Sequence, residues 1–215
     1  MAIVISKNGG LNDDFWKPIA QVLNAVLYDA DSEKTEYDKL VSDIAIETKS
    51  KKYAEKQSSA TSLANFDITG EGDVAPLDDW QEGTPKLIIH NTFKKEVVIT
   101  REMQDDGDID AMKTTVKNLS MAYKRTRCQF LTSYLATEGS TFSFGAKTGL
   151  DRATGDGKAL FATDHNSVKP DVATQSNVFT NAFSVNILIR LASIGRNFKN
   201  ESGDVTGYAF NKIKL

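Results

Sequence analysis

The chain has 215 residues, 40% of them hydrophobic, with 26 basic and 29 acidic side chains, two histidines and one cysteine. That length suits one large domain or two small ones. A single cysteine excludes an internal disulfide framework and a cysteine-based zinc site, and two histidines leave little for a histidine-rich metal centre. No run approaches the ~20 apolar residues of a membrane span, and Met1–Gly10 lacks the apolar core of a signal peptide. The expectation is a soluble, intracellular protein. Its net charge of −3 hides an asymmetry: residues 1–110 carry −10 and residues 111–215 carry +7. Such a split fits solvated faces, self-association of unlike parts, or a basic face toward a polyanion.

Residues 11–28 read as an amphipathic helix, with Asn12 as N-cap, Asp13 and Asp14 at the positive end of the dipole, and Ile19, Val22, Leu23 and Val26 at helical spacing. Phe15 and Trp16 near its start are candidate anchors on another subunit. A short helix is predicted over Glu33–Val41, then a strand over Ile44–Lys49 from its alternation. The span 44–85 is a long, weakly hydrophobic excursion with strand-like ends, in which Phe66 and Trp80 are isolated large side chains. So polar a segment buries little of itself, and it reads as an extended hairpin or loop lying on something else.

Residues 86–102 carry the strongest strand signal, in Lys86–His90 and Lys95–Thr100. His90 within that strand reads as structural. Asp108–Glu138 contains no Pro or Gly, and Ile109, Met112, Val116, Leu119, Tyr123, Phe130 and Tyr134 form one apolar stripe. This helix would be about 45 Å long. Beside the stripe, Lys113, Lys117, Lys124 and Arg127 fall within about 80° of one another at ~100° per residue. They form either a solvated face or a face toward nucleic-acid phosphates. Cys128 on the same helix reads as a packing residue. Residues 139–158 read as a Gly- and Thr-rich loop, and Ala182–Asn197 as a helix with Val185, Leu188, Leu191 and Ala192 on its buried side. A last strand is predicted from Tyr208.

Chemical motifs fail on inspection. Gly155-Asp156-Gly157-Lys158-Ala159 resembles a phosphate loop, but Arg152 stands where the first Gly is needed and Ala159 where Ser or Thr is needed. Asp106, Asp108 and Asp110 have the spacing of a calcium loop, but Ala111 and Lys117 replace its Gly and Glu. Asp164-His165 could orient a hydrolytic triad, yet no serine sits in a nucleophile elbow. No catalytic residue, metal ligand or cofactor is assigned, and the chain is expected not to be an enzyme.

A long polar excursion, a strong strand, a very long helix and then a Gly-rich loop ending in Asp156-Gly157-Lys158-Ala159-Leu160-Phe161-Ala162-Thr163-Asp164-His165-Asn166 follow in order. This resembles the major head (capsid) subunits of tailed bacteriophages, particularly the Mu-like group. The resemblance implies an α+β chain of the HK97-like capsid fold. The parts would be an N-terminal arm at 1–42, an extended β-hairpin loop at 43–85, a peripheral domain with its spine helix at 86–138, and the start of the axial domain at 139–215. Family members continue further, so the chain ending at Leu215 reads as a short member or as a fragment. The implied function is a self-assembling icosahedral shell enclosing double-stranded DNA in the virion head, put together in the bacterial host cytoplasm. The implied partners are copies of the chain itself, portal and scaffold or protease proteins, and DNA bound without sequence specificity; no membrane is involved. Phe15, Trp16, Phe66 and Trp80 would make intersubunit contacts, and Lys113, Lys117, Lys124 and Arg127 would face the DNA. The rivals are an encapsulin-like compartment shell and, from other classes, a small hydrolase using His165 and a monomeric binding module using the 44–85 loop.

Overall fold

A computed structural model describes residues 13–58, 60–78, 80–99, 103, 106–182, 184–200 and 203–207; the side chains of residues 13–18 lie outside the description. The elements are α1 (Asp13–Ser32), α2 (Glu36–Ile44), β1 (Ala54–Gln57), β2 (Lys86–Ile89), α3 (Ile109–Ala136), β3 (Thr141–Phe144), β4 (Lys147–Asp151) and α4 (Val185–Arg196). The chain is α+β, with helices in the majority and two small antiparallel sheets. It divides into two units, one of residues 1–51 with 91–135, the other of residues 52–90 with 136–215.

The first unit is built on α1, α2 and α3. Its core is Leu23 and Leu27 from α1 against Met112 and Val116 from α3, with Ile19, Val26, Ile99 and Met103 packed around them. Each pair is spaced i, i+4, so both helices turn one ridge inward. Full burial of such side chains stabilises by about 1.5–3 kcal/mol each. At the start of α2, the Asp38 carboxylate accepts hydrogen bonds from the Thr35 N–H at 3.0 Å and the Thr35 hydroxyl at 2.9 Å. It thereby satisfies a donor that the first turn leaves without a partner. Farther along α3, Phe130 meets Phe93 edge-on, with ring centres 5.4 Å apart.

Among the described residues of this unit two expected strands do not form; Thr100, the end of the second, lies outside the described residues. Ile44 closes α2, and Ile46 beyond it is 94% exposed. Residues 45–49 alternate in sequence but have no neighbour to pair with, and a lone extended segment has no ladder to form. Residues 91–99 are likewise irregular: Ile99 enters the core while Val98 stays exposed.

In the second unit β1 and β2 pair antiparallel, Ala54 opposite Ile89 and Gln57 opposite Lys86. The ladder runs on at one end through the Ala60–Glu82 bridge, and at the other through the His90 N–H donating to the Tyr53 carbonyl. His90 therefore lies just past β2 and is exposed. The Phe66–Thr69 alternation has no partner strand and remains irregular. The Gly-rich stretch after α3, expected as loop, is in fact the β3–β4 hairpin: Phe142 pairs with Leu150, and both are buried. Its reversal falls at Gly145, whose φ of 59° suits glycine best. The α4 helix is capped by the Ser184 hydroxyl, which accepts from the Ile187 N–H at 3.2 Å. Val185, expected on its buried side, is 72% exposed. It sits at the first position of the helix, at the edge of the stripe. The strand expected from Tyr208 lies outside the described residues.

Candidate functional site

The four cations predicted as one open stripe part company in the folded chain. Lys113 pairs with Asp110 at 3.5 Å, one turn back, and Lys117 is exposed. Lys124 is turned inward and is 3% exposed. Its ammonium donates to the carbonyl of Ala30 at 3.1 Å and to that of Glu33, and lies 3.4 Å from the Asp38 carboxylate. The Ala30 carbonyl belongs to the last turn of α1 and that of Glu33 directly follows it, and this last turn has no basic residue of its own. Lys124 thus supplies, from α3, the positive charge that the helix terminus lacks. Arg127 is shared between Asp38 and Glu47 and stacks on the Tyr123 ring at 5.7 Å. The four-member stripe is therefore corrected: Lys124 is an internal group, Arg127 is engaged by two carboxylates, and Lys113 and Lys117 remain toward solvent. Helical spacing places side chains on a face but does not say what covers it.

Asp38 sits at the centre of this arrangement. Burial opposes its charge, but hydrogen bonds from Thr35 and the charge of Lys124 outweigh burial and hold the carboxyl below the usual carboxylate range.

The excursion behaves as its low hydrophobicity predicts. Its base is tied down: the Thr61 N–H donates to the Gln81 carbonyl at 2.9 Å, and the Gln81 N–H to the Thr61 hydroxyl at 3.0 Å. Farther out, Asn65 N–H donates to Asp204 at 2.9 Å, and Lys169 pairs with Asp78 at 3.8 Å. The apolar side chains beyond have no cover. Phe66, Ile68 and Leu77 are fully exposed, Val74 is 92% exposed and Trp80 63%. Phe66 and Trp80 thus lie on one outward-facing loop. The side chains of Phe15 and Trp16 are outside the described residues.

The Asp156–Asn166 motif folds into a knot around one carboxylate. Asp156 accepts from the Thr154 hydroxyl, from the Lys158 N–H at 3.1 Å, from the Asn166 N–H at 3.3 Å and from His165 Nδ1 at 2.8 Å. Burial disfavours the charged form, yet these donors and the charge of His165 bring the Asp156 carboxyl down to about 2. A carboxylate ionised at neutral pH only accepts, so His165 Nδ1 carries the hydrogen and Nε2 is the remaining position. The sequence-adjacent Asp164 is not the partner of His165; it pairs with Lys158. His165 Nε2 is buried and meets no hydrogen-bonding group among the described residues.

The knot is braced on both sides. Asn177 donates to the Leu160 carbonyl at 2.8 Å and accepts from the Ala162 N–H at 2.9 Å. Gln175 exchanges backbone hydrogen bonds with His165, while its side chain holds both the N–H and the carbonyl of Lys199. Arg152, 1% exposed, donates to the Gly139 carbonyl at 2.9 Å and lies over the Phe161 ring at 5.5 Å. A shallow cleft of about 590 Å³ runs beside His165, Gln175 and Lys199. Among the described residues no group of three or more His, Cys, Asp or Glu side chains is placed to hold a metal ion. None of the described helices is long and apolar enough to cross a membrane.

Sequence reasoning missed Asp156 as the organising residue. The signal was present in Thr154-x-Asp156-Gly157-Lys158, where an Asp before a Gly favours a turn closed by its own side chain. Comparison with protein-family models, curated proteins and solved structures gives no match to the chain.

Proposed function

We propose that this chain is a structural shell subunit of the HK97 type, the major capsid protein of a tailed phage or prophage, which assembles into a head enclosing double-stranded DNA. The observation that carries the reading is the excursion tip, where Phe66, Ile68 and Leu77 have no contact that shields them from water. Several large apolar side chains left in water on one loop whose base is held by hydrogen bonds mark a contact surface. A shell subunit has such a surface without needing a pocket, and many weak contacts add up through closed symmetry. A 28-residue α3 and the order arm, excursion, long helix, Gly-rich segment agree with the reading. Lys113 and Lys117 are the residues through which packaged DNA would be met, by charge and without sequence preference.

Negative-stain microscopy of the purified protein tests this. Closed shells, or rings of five and six subunits, are the expected result. A monodisperse monomer at high concentration overturns it. An encapsulin-like shell would give the same particles with a protein cargo in place of DNA, so the nucleic acid content of the particles separates the two.

One observation favours a second reading, a hydrolase: Asp156 orients His165 as a carboxylate orients the histidine of a triad. It lacks a nucleophile, because Nε2 meets no hydroxyl or thiol among the described residues.

A further inference from the structure

We propose that the tip of the connection between β1 and β2, residues 58–85 of the excursion, docks in one copy on the outward face of α4 of a second copy. The inference rests on the shell reading and names the receiving surface that it leaves open.

The two surfaces are complementary in charge. Residues 58–85 contain six acidic side chains and no Lys or Arg. The segment 172–200 is the converse, with Arg190, Arg196 and Lys199 and no acidic residue at all. Among the described residues Asp67 and Glu71 form no ion pair, and neither do Arg190 and Arg196. Each side thus holds unspent charge of one sign, which steers association and fixes which surface meets which.

They also match in apolar character. At ~100° per residue, Val185, Ile189, Arg190 and Arg196 fall within an arc of about 140° on α4. All four are exposed, Val185 at 72% and Ile189 at 66%. Leu188 and Leu191, about 60° and 120° round the helix from Val185 on the side away from Ile189 and Arg190, are partly buried. An exposed pair of β-branched residues flanked by arginines is a receiving surface for an acidic loop that leads with Phe66 and Ile68. Apolar contacts would supply the burial, and the arginines would pair with Asp67 and Glu71 at the rim. Within one chain the tip is fully exposed, so it does not cover its own α4. A contact between two unlike patches runs head to tail, and repeats of it make a ring where the rotation closes.

The test uses two full-length chains, both carrying Cys128→Ser so that no native thiol remains. One also carries Phe66→Cys, the other Ile189→Cys, and the two are co-assembled and treated with a short bis-maleimide. The expected result is a cross-linked pair of chains in the mixture, at least tenfold more abundant than with either chain alone. A mixture that assembles yet yields no more pairs than the single chains overturns the docking surface and leaves the shell reading standing. Cross-linking of the Phe66→Cys chain with itself overturns it too, since tip would then meet tip. If the wild-type chain is a monomer, the shell reading fails and the docking fails with it. A charge exchange gives an independent readout. The pair Arg190→Glu and Arg196→Glu should lower the assembled fraction at least tenfold with thermal unfolding unchanged, and adding Asp67→Lys and Glu71→Lys should restore it. Failure of that restoration in folded protein overturns the charge pairing.

Discussion

The Lys124 ammonium lies 3.4 Å from the Asp38 carboxylate and caps the carbonyl end of α1 in the same stroke. One side chain on α3 thereby holds two consecutive helices of the N-terminal segment. Replacing Lys124 with Met strands the α1 carbonyls and leaves Asp38 without its nearest cation. The expected loss is about 3 kcal/mol, the scale for breaking one side of a buried ion pair. Urea unfolding should show it, and Asp38→Asn should cost less in the Lys124→Met background than in the wild type. Equal costs in both backgrounds would show that the two residues are not coupled.

Asp156 makes the second unit sensitive to acid. Its carboxyl is lowered from 3.8 to about 2 in the folded chain. The sign follows from linkage: a depressed carboxyl contributes stability that is fully present above the unfolded value and is lost as the pH falls through the folded one. The contribution, about 2 kcal/mol, should fade between roughly pH 4 and pH 2. Asp156→Asn should flatten that part of the stability profile, measured by thermal unfolding at fixed ionic strength.

Asn177 is a local brace rather than a source of global stability. Asn177→Ala removes the two side-chain hydrogen bonds that hold residues 160–162, at about 1 kcal/mol each. Hydrogen exchange at the Ala162 amide should speed up while the amides of α3 keep their protection. Acceleration spread over both units would argue against a local role.

Phe66→Ser together with Ile68→Ser removes two side chains that are fully exposed within the chain. Folding stability should therefore change by no more than about 0.5 kcal/mol. Assembly should drop sharply, read as a fall in sedimenting mass at unchanged unfolding temperature. A large drop in unfolding temperature would mean that the tip packs on its own chain.

The corrected basic stripe changes how DNA contact is tested. Lys124→Gln would damage the fold, so only Lys113→Gln with Lys117→Gln isolates electrostatics on α3. Particles of this variant should retain less DNA while assembling normally, with a weaker dependence on salt. Unchanged DNA retention would remove α3 from the DNA-facing surface.

Local chemistry makes much of the chain legible in advance. The α1, α3 and α4 helices announce themselves by apolar spacing and uninterrupted helical composition, and the exposure of Phe66 and Trp80 follows from a segment too polar to cover them. The β3–β4 hairpin is also encoded, in Phe142 and Leu150 flanking Gly145, but five glycines within 139–158 give the stretch the composition of a loop. Among the described residues no strand forms where an alternating segment lacks a partner. Ile44–Lys49 and Lys95–Thr100 have the right residues, yet a strand is a pairing, and the sequence of one segment does not contain its neighbour.

By itself the sequence determined the α+β class, the positions of the long helices, the sparse burial of the 44–85 excursion and the separation of acidic from basic halves. These depend on composition and on periodicities of 3.6 and 2, which are properties of neighbours along the chain. Only the tertiary structure decided that Lys124 points inward to the end of α1, that His165 takes Asp156 rather than Asp164, and that α4 turns Val185 and Ile189 to water. Each of those outcomes depends on residues brought together across 9 to 94 positions or on which face a neighbouring element covers. Desolvation and pairing act through space, and no local pattern specifies them.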